Sequence, residues 1–341
     1  MKTIDNIFEK LTSLDNLREA YYNSCKGKTN KYYIKQFEKQ NINDKLLLEL
    51  ENSLRTQQFK PSQHTYFEML KPKKRTIAKL PYYPDRIVQH AIVNVLRDYW
   101  ESLLGKNTYA CVRKRGVLGE EGMYHDLKSL LYQNKPKYCL KIDIRRYYEN
   151  ISHVILKNIL QHQINDQQVL DLIFLYIDNY NFTIGKGLAV GSILSQYLSN
   201  IYLCRFDYNI KKRYRKQGVY YFRYNDDMVF VGDDKDTLWR VLEYAEEELN
   251  KLELGLSNKQ LFPIDIRGID VGGVVYYNTH IGLRRRIKYR IQRRYNKYKN
   301  PKNINEYFAG WKGYIMRTNS VHFLRAIGMD KRQINILKKH K

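Results

Sequence analysis

The chain has 341 residues, with 60 Lys and Arg against 35 Asp and Glu, a formal charge of +25. With 43% apolar and 13% aromatic residues it can bury a core, which excludes wholesale disorder. The most apolar stretches, around Val88–Leu96 and Val169–Ile177, fall well short of the ~18–20 residues that span a bilayer, so a transmembrane protein is not expected. Asp5, Glu9 and Asp15 interrupt the stretch where a signal peptide needs an unbroken apolar run, so no export signal is expected. Cys25, Cys111, Cys139 and Cys204 lie far apart with no CxxC pair, which argues against a zinc site or disulfide framework and for a reducing cytoplasm. The basic excess selects polyanionic partners, nucleic acid first and anionic membrane second. No helix sets a basic face against a bulky apolar one, which favours nucleic acid.

Residues 1–60 read as helices, since Ile4, Ile7, Phe8, Leu11 and Leu14 recur at helical spacing. Pro61, Pro72, Pro81 and Pro84 punctuate an extended stretch, Tyr66–Leu80, in which Lys71, Lys73, Lys74 and Arg75 cluster. A helix is expected over Arg86–Leu104, then a strand over Tyr138–Ile144. One helix is expected over Ser192–Lys216. The runs Tyr220–Tyr224 and Met228–Val231 flank Asn225-Asp226-Asp227 and read as a hairpin. A helix over Asp236–Leu252 follows, then short strands near Gln260–Ile264 and Val271–Tyr277. Beyond Gly282 the chain turns helical and strongly basic. This order predicts an α+β fold rather than a doubly wound sheet.

Three carboxylates carry the chemistry. Asp143 sits in the apolar strand Cys139-Leu140-Lys141-Ile142-Asp143-Ile144, where an ionised group is costly unless paired or metal-bound. Its bland explanation is an ion pair with Lys141, its neighbour on the same face. Asp226 and Asp227 sit at the expected hairpin tip, where a solvated turn is the bland explanation. Taken together, two adjacent Asp and a third on a neighbouring strand suit hard divalent cations. Two such ions, about 3.5–4 Å apart, activate a hydroxyl and stabilise a leaving pyrophosphate. Phosphoryl transfer on a polynucleotide is therefore the leading expectation.

At this point the residues resemble a family. Tyr224-Asn225-Asp226-Asp227 resembles the catalytic hairpin of reverse transcriptases, and Asp143-Ile144 followed by Tyr147-Tyr148 and Ile151 resembles their first catalytic strand. The run Gly187-Leu188-Ala189-Val190-Gly191-Ser192-Ile193-Leu194-Ser195-Gln196, with Asn200-Ile201-Tyr202-Leu203 after it, resembles the motif that binds the incoming nucleotide. Lys71-Pro72-Lys73-Lys74-Arg75 and Asp85-Arg86-Ile87-Val88-Gln89 resemble the fingers motifs of bacterial members, and Leu256-Ser257-Asn258-Lys259 and Gly272-Gly273-Val274 the last two palm motifs. Most reverse transcriptases carry Gln before the Gly of the nucleotide loop and Pro after the Ser. Here Val190 and Gln196 stand there, as in enzymes of diversity-generating retroelements, whose thumb Trp311-Lys312-Gly313-Tyr314 also resembles.

The resemblance implies a right-hand polymerase: an N-terminal helical extension (1–60), fingers (61–137), palm (138–282) and basic helical thumb (283–341). It implies that Asp143, Asp226 and Asp227 are catalytic, with the Ile144 carbonyl an extra metal ligand and two Mg2+ bound, Mn2+ serving as substitute. Lys73 and Arg75 would grip the triphosphate, Tyr148 would block the nucleotide's 2′-hydroxyl, and Lys259 would sit near the pyrophosphate. Val190, Gly191 and Gln196 would contact the nascent pair; Val190 removes an amide and Gln196 adds donor and acceptor groups. On a helix, Ile193, Leu194, Tyr197, Leu198 and Ile201 share one arc, opposite Ser192, Gln196 and Ser199.

Arg284–Lys299 holds nine basic residues and no acid, with Ile287, Ile291 and Tyr295 forming an apolar stripe. Arg284, Arg285, Arg286, Lys288, Arg290, Arg293 and Arg294 are expected on nucleic acid, giving a steep salt dependence. Trp311 and Tyr314 are expected to pack the thumb core. The implied function is an RNA-directed DNA polymerase that copies a structured retroelement RNA into cDNA, error-prone opposite template adenines, using dNTPs, a primer strand and a ring of small basic accessory protein. A cytoplasmic, bacterial or phage-encoded setting is expected, with no membrane partner. The alternatives are a group II-like or defence-associated reverse transcriptase of ordinary fidelity, and a non-catalytic RNA-binding palm protein.

Overall fold

Apolar spacing sets the order of elements along the chain. A computed structural model describes residues 4–28, 30–70, 75–298 and 304–339. Helices α1 (Phe8–Thr12), α2 (Leu14–Cys25), α3 (Tyr32–Gln40) and α4 (Lys45–Arg55) come first. Strands β1 (Thr65–Met69) and β2 (Arg75–Lys79) then pair antiparallel, Thr65 opposite Lys79. Lys71, Lys73 and Lys74 lie outside the described residues; Arg75 is the first residue of β2. Helices α5 (Ile87–Leu103) and α6 (Met123–Asn134) precede β3 (Tyr138–Ile144). Next come α7 (Tyr147–Asn150), α8 (His153–Gln161), α9 (Gln167–Asp178), α10 (Ile193–Tyr202) and α11 (Cys204–Tyr214). Strands β4 (Tyr220–Tyr224) and β5 (Asp227–Gly232) lead to α12 (Lys235–Lys251), β6 (Leu256–Pro263) and α13 (Ile264–Arg267). Three short strands follow, β7 (Ile269–Val271), β8 (Val274–Tyr276) and β9 (Ile281–Leu283). The last helices are α14 (Arg285–Lys297), α15 (Ile304–Arg317), α16 (Val321–Ala326) and α17 (Lys331–Lys338). No helix among the described residues is long and apolar enough to cross a membrane.

The chain divides into two units. The first comprises Met1–Gly105, Ile144–Asn209 and Glu246–Gly255; the second comprises Lys106–Asp143, Ile210–Ala245 and Leu256–Lys341. The segments expected as extension and fingers fall largely in the first, the expected palm contributes to both, and the expected thumb lies in the second. The single helix expected over Ser192–Lys216 is two, because α10 ends at Tyr202 and α11 restarts at Cys204. The strand expected near Gln260–Ile264 starts earlier, at Leu256, and the one expected over Val271–Tyr277 is the end of β7 and all of β8, joined by a glycine turn.

In the first unit α5 is the central helix. Ile87, Val88, Ala91, Ile92, Val93, Leu96 and Trp100 are fully buried on it, so it is apolar over most of its circumference rather than along one stripe. Helices α2 and α10 pack on it. Asn16 on α2 donates from Nδ2 to the Leu11 and Ala91 carbonyls, at 2.7 and 3.1 Å, and Trp100 stacks on Tyr197 of α10.

The second unit is built on an antiparallel sheet of order β4-β5-β3-β6. Cys139, Phe222, Val229 and Val231 point from one face into a core completed by α6 and the β7–β9 sheet. A separate core forms around α14–α17, where Ile291 is fully buried and Ile287, Tyr295, Trp311 and Tyr314 pack partly against it, as the periodicity predicts. The Gly272-Gly273 turn between β7 and β8 has φ of +60° and +89°. A Cβ on Gly272 would meet the Val117 side chain at 2.4 Å, and one on Gly273 would meet Ile287 of α14 at 2.9 Å. Glycine is thus required for both backbone angle and clearance. Gly272→Ala should lower unfolding free energy by more than ~1 kcal/mol, read as a lower urea midpoint at unchanged m-value.

Candidate active site

Side chains of directly opposed residues in an antiparallel pair leave the sheet on the same face. In the β3–β5 ladder Asp143 lies directly opposite Asp227, and Lys141 opposite Val229. Cys139, Lys141 and Asp143 therefore share a face with Val231, Val229 and Asp227. That face is apolar at the end buried under α6 and becomes polar at the hairpin tip, where Asn225 and Asp226 form the turn. Asn225 takes φ +54°, a left-handed conformation that Asn tolerates better than most residues.

Three side chains that sequence reasoning gave no site role hold this tip. Lys141 pairs with Asp227 rather than with Asp143: its Nζ is 3.1 Å from Asp227 Oδ1 and donates to the Asp270 carbonyl at 2.7 Å. The pairing is diagonal across the strands, which strand-by-strand reading does not show. Asp143 accepts from Ser257 of β6, whose Oγ is 2.6 Å from Oδ2 and 3.1 Å from the Asp143 carbonyl. Arg223, fully buried in β4, donates from Nη1 to the Asn225 carbonyl at 3.2 Å and so braces the turn. An Arg inside the apolar run Tyr220-Tyr221-Phe222 was the available signal.

The donor chemistry of the tip fits a hard cation, with two opposed carboxylates and a third at the adjacent turn residue. Among the described residues no three His, Cys, Asp or Glu side chains converge as a ready metal cage. An ion held between Asp143 and Asp227 competes with Lys141 for Asp227.

The first unit carries a separate constellation. A cavity of about 560 Å³ is lined by Val190, Gly191, Ser192 and Gln196 together with Arg86, Gln89, His90, Lys28 and Lys79. Ser192 caps α10, accepting from the Ser195 N–H, and donates from Oγ to Gln89 Oε1 at 2.9 Å. Gln89 is buried, so this bond fixes the nucleotide-loop motif to α5. Burial, then the charges of Arg86, Arg97, Lys28 and Lys26, push the His90 imidazole down to about 4, so the ring is neutral at pH 7. Arg86, Lys28 and Lys79, which line the cavity, give it a positive potential suited to phosphate.

Tyr147 is a core residue, its hydroxyl bonded to the Ser199 carbonyl, and Tyr148 packs edge-on against it at 5.7 Å. Tyr148 Oη accepts from Ser199 Oγ at 3.1 Å. The side of α10 expected to be open is therefore only partly so: Gln196 reaches the cavity, but Ser199 is 1% exposed beneath the tyrosine pair. Lys259 lies on β6 two residues beyond Ser257, and is exposed. On α14, Arg285, Arg286, Arg290 and Arg293 are exposed, and Lys288 lies 5.9 Å over the Phe323 ring. Arg284 instead pairs with Asp270 at 2.6 Å, and Arg294 sits among the rings of Tyr298, Tyr307 and Trp311.

A match to the family described as reverse transcriptase (RNA-dependent DNA polymerase) covers residues 60–261, more than half of the chain. The chain belongs to the reverse transcriptase family. Reverse transcriptases use divalent metal ions, in keeping with the acidic tip. The chain is 24% identical over 166 residues to protein YkfC of Escherichia coli, covering 45% of this chain and 42% of that protein. It is likewise 24% identical over 154 residues to the group II intron-encoded protein LtrA of Lactococcus lactis, covering 43% of this chain and 25% of that one. The chain thus spans less than half the length of these curated relatives. Among solved structures, apo telomerase of Candida tropicalis superposes with TM-score 0.53 at 12% identity, over 82% of this chain and 57% of that one. This likeness shows the fold, the mixed helix and antiparallel sheet of a right-hand polymerase, as the order of elements predicts for the α+β class and the resemblance implies for the right hand.

Proposed function

We propose that this reverse transcriptase is an RNA-directed DNA polymerase of the diversity-generating type, copying a structured RNA into cDNA with errors concentrated opposite template adenines. The polymerase reading is carried by the register that sets Asp143 opposite Asp227 beside the turn residue Asp226. Asp143, Asp226 and Asp227, with the Ile144 carbonyl, would hold two divalent ions. Bound there, such ions supply activation of the primer hydroxyl and charge neutralisation of pyrophosphate. Ser257 orients the Asp143 carboxylate, Arg223 holds the turn, and Lys141 keeps Asp227 paired until an ion takes its place.

In the first unit the cationic cavity receives the triphosphate end of a nucleotide. The subtype reading rests on Val190 and Gln196 lining that one cavity. Val190 offers only apolar surface where an amide is usual, so one polar check on the nascent pair is lost. Gln196 brings a donor and an acceptor that can satisfy more than one pairing geometry. The same reading implies a structured template RNA and a small basic accessory protein as partners, testable by co-purification.

The deciding experiment is primer extension on an RNA template containing all four bases, with errors counted opposite each. The Gln196 N–H donates to the Ser192 carbonyl at 3.2 Å, so proline there loses a helix bond and Gln196→Ala is the cleaner variant. Val190→Gln and Gln196→Ala should each lower errors opposite adenine several-fold while sparing other positions. An even error spectrum in the unaltered protein would replace the subtype reading with a group II-like enzyme of ordinary fidelity. Absence of extension with either Mg2+ or Mn2+ would overturn the polymerase reading itself.

A further inference from the structure

The second unit contains a cavity that the acidic tip does not use. It has a volume of about 690 Å³ and opens between α6, α11 and the start of β4, at the end of that strand away from the hairpin turn. Three cations line it: Lys106, Lys211 and Arg215. None of the three has a carboxylate partner among the described residues. Asp126, the acid in the lining, is already engaged by the Tyr109 hydroxyl at 2.6 Å. Burial, and then the like charges of Arg215 and Lys106, lower the Lys211 pKa, which places the three cations in one field.

Asn107 supplies an independent observation. The residue lines the same cavity and is 8% exposed; its Nδ2 and Oδ1 are themselves buried and have no hydrogen-bond partner among the described residues. Its backbone carbonyl accepts from the Arg223 N–H at 2.8 Å. A buried amide without a partner is destabilising, and a bound ligand is one of the few things that can complete it. A phosphate oxygen suits an amide donor beside three cations. At the rim Tyr220, 40% exposed, offers an aromatic face to a base.

We propose that this cavity binds a nucleotide phosphate of an unpaired RNA strand, with the oxygens on Lys106, Lys211 and Arg215, the Asn107 amide turning outward to donate to them, and the neighbouring base on Tyr220. The site is separate from the carboxylate tip and does not depend on the polymerase reading. A phosphate here can come from an RNA strand or from a free mononucleotide, and the two sources separate in one experiment. The full chain is photocrosslinked to a short unstructured RNA carrying 4-thiouridine, with and without saturating AMP, and its tryptic peptides are mapped. A crosslink on Gln217–Arg223 that persists in AMP assigns the site to the strand; one displaced by AMP assigns it to the mononucleotide. No crosslink on that peptide overturns the proposal.

Affinity variants give a second readout. Lys211→Gln combined with Arg215→Gln removes two phosphate contacts and should weaken single-stranded RNA binding roughly tenfold near physiological salt, reducing the log–log salt slope by about 1.4. An unchanged slope counts against the site. Asn107→Leu separates ligand from scaffold. Removing an unpartnered amide leaves the melting temperature unchanged or raises it while RNA binding weakens. A lowered melting temperature with unchanged RNA affinity would show Asn107 to be structural.

Discussion

Asp143→Asn should reduce primer extension by at least on the order of 10³-fold while leaving RNA binding and melting temperature nearly unchanged. The substitution is isosteric, and Ser257 Oγ, 2.6 Å from Oδ2, can still donate to the amide oxygen. What is lost is the negative charge opposite Asp227 that a divalent ion needs. Asp226→Asn should behave alike. Asp227→Asn differs in a measurable way, because it also leaves Lys141 without its 3.1 Å partner in a half-buried position. That variant should lose activity and some stability together. Extension assays run beside thermal melts separate the two effects. If Asp143→Asn retained a tenth of the activity, the acidic tip would not be the catalytic centre.

The second large effect concerns sugar selection. Tyr148→Ala should raise ribonucleotide incorporation relative to deoxyribonucleotide on the order of 10²-fold, the discrimination a close-fitting pocket wall supplies. The Tyr148 ring is held in place by its neighbours. Tyr148 is hydrogen-bonded to Ser199 and braced edge-on by Tyr147, whose own hydroxyl is anchored on the Ser199 carbonyl. Tyr148→Phe keeps the ring and loses the hydroxyl with its 3.1 Å bond to Ser199, so it should retain most of the discrimination. Competitive incorporation of dNTP against NTP on one template measures the ratio. Equal ratios for Tyr148→Ala and the unaltered protein would remove Tyr148 from sugar recognition.

Much of this architecture could be read from residue order, and the exceptions have local causes. The acidic hairpin was legible because Asn225-Asp226 interrupts two apolar runs at a turn, which is a property of adjacent residues. The stripe Ile287, Ile291 and Tyr295 was legible because helix periodicity is also local. The break at Leu203 was not, since no Gly or Pro marks it and the chain simply restarts its helix at Cys204. Burial of Ser199 depends on the tyrosine pair roughly fifty residues earlier. The bland explanation of Asp143 pairs it with Lys141, its neighbour on the same face of the strand. The actual partner of Lys141 belongs to β5, and inter-strand register cannot be read from one strand alone. Arg284 and Arg294 were counted with the nucleic-acid-facing cations on charge alone, although an acid and three rings engage them.

Each unit is assembled from three separated stretches of chain, and the first is completed only by Glu246–Gly255. During synthesis its opening stretch, through Gly105, must therefore wait for roughly 150 further residues. At typical translation speeds this delay is about 8–30 s, far longer than hydrophobic collapse takes. The side of α5 that α10 covers is exposed until Tyr202 is made, which makes the nascent chain a client for chaperones. Truncations ending before Gly255 should accumulate as insoluble protein rather than as a smaller folded piece.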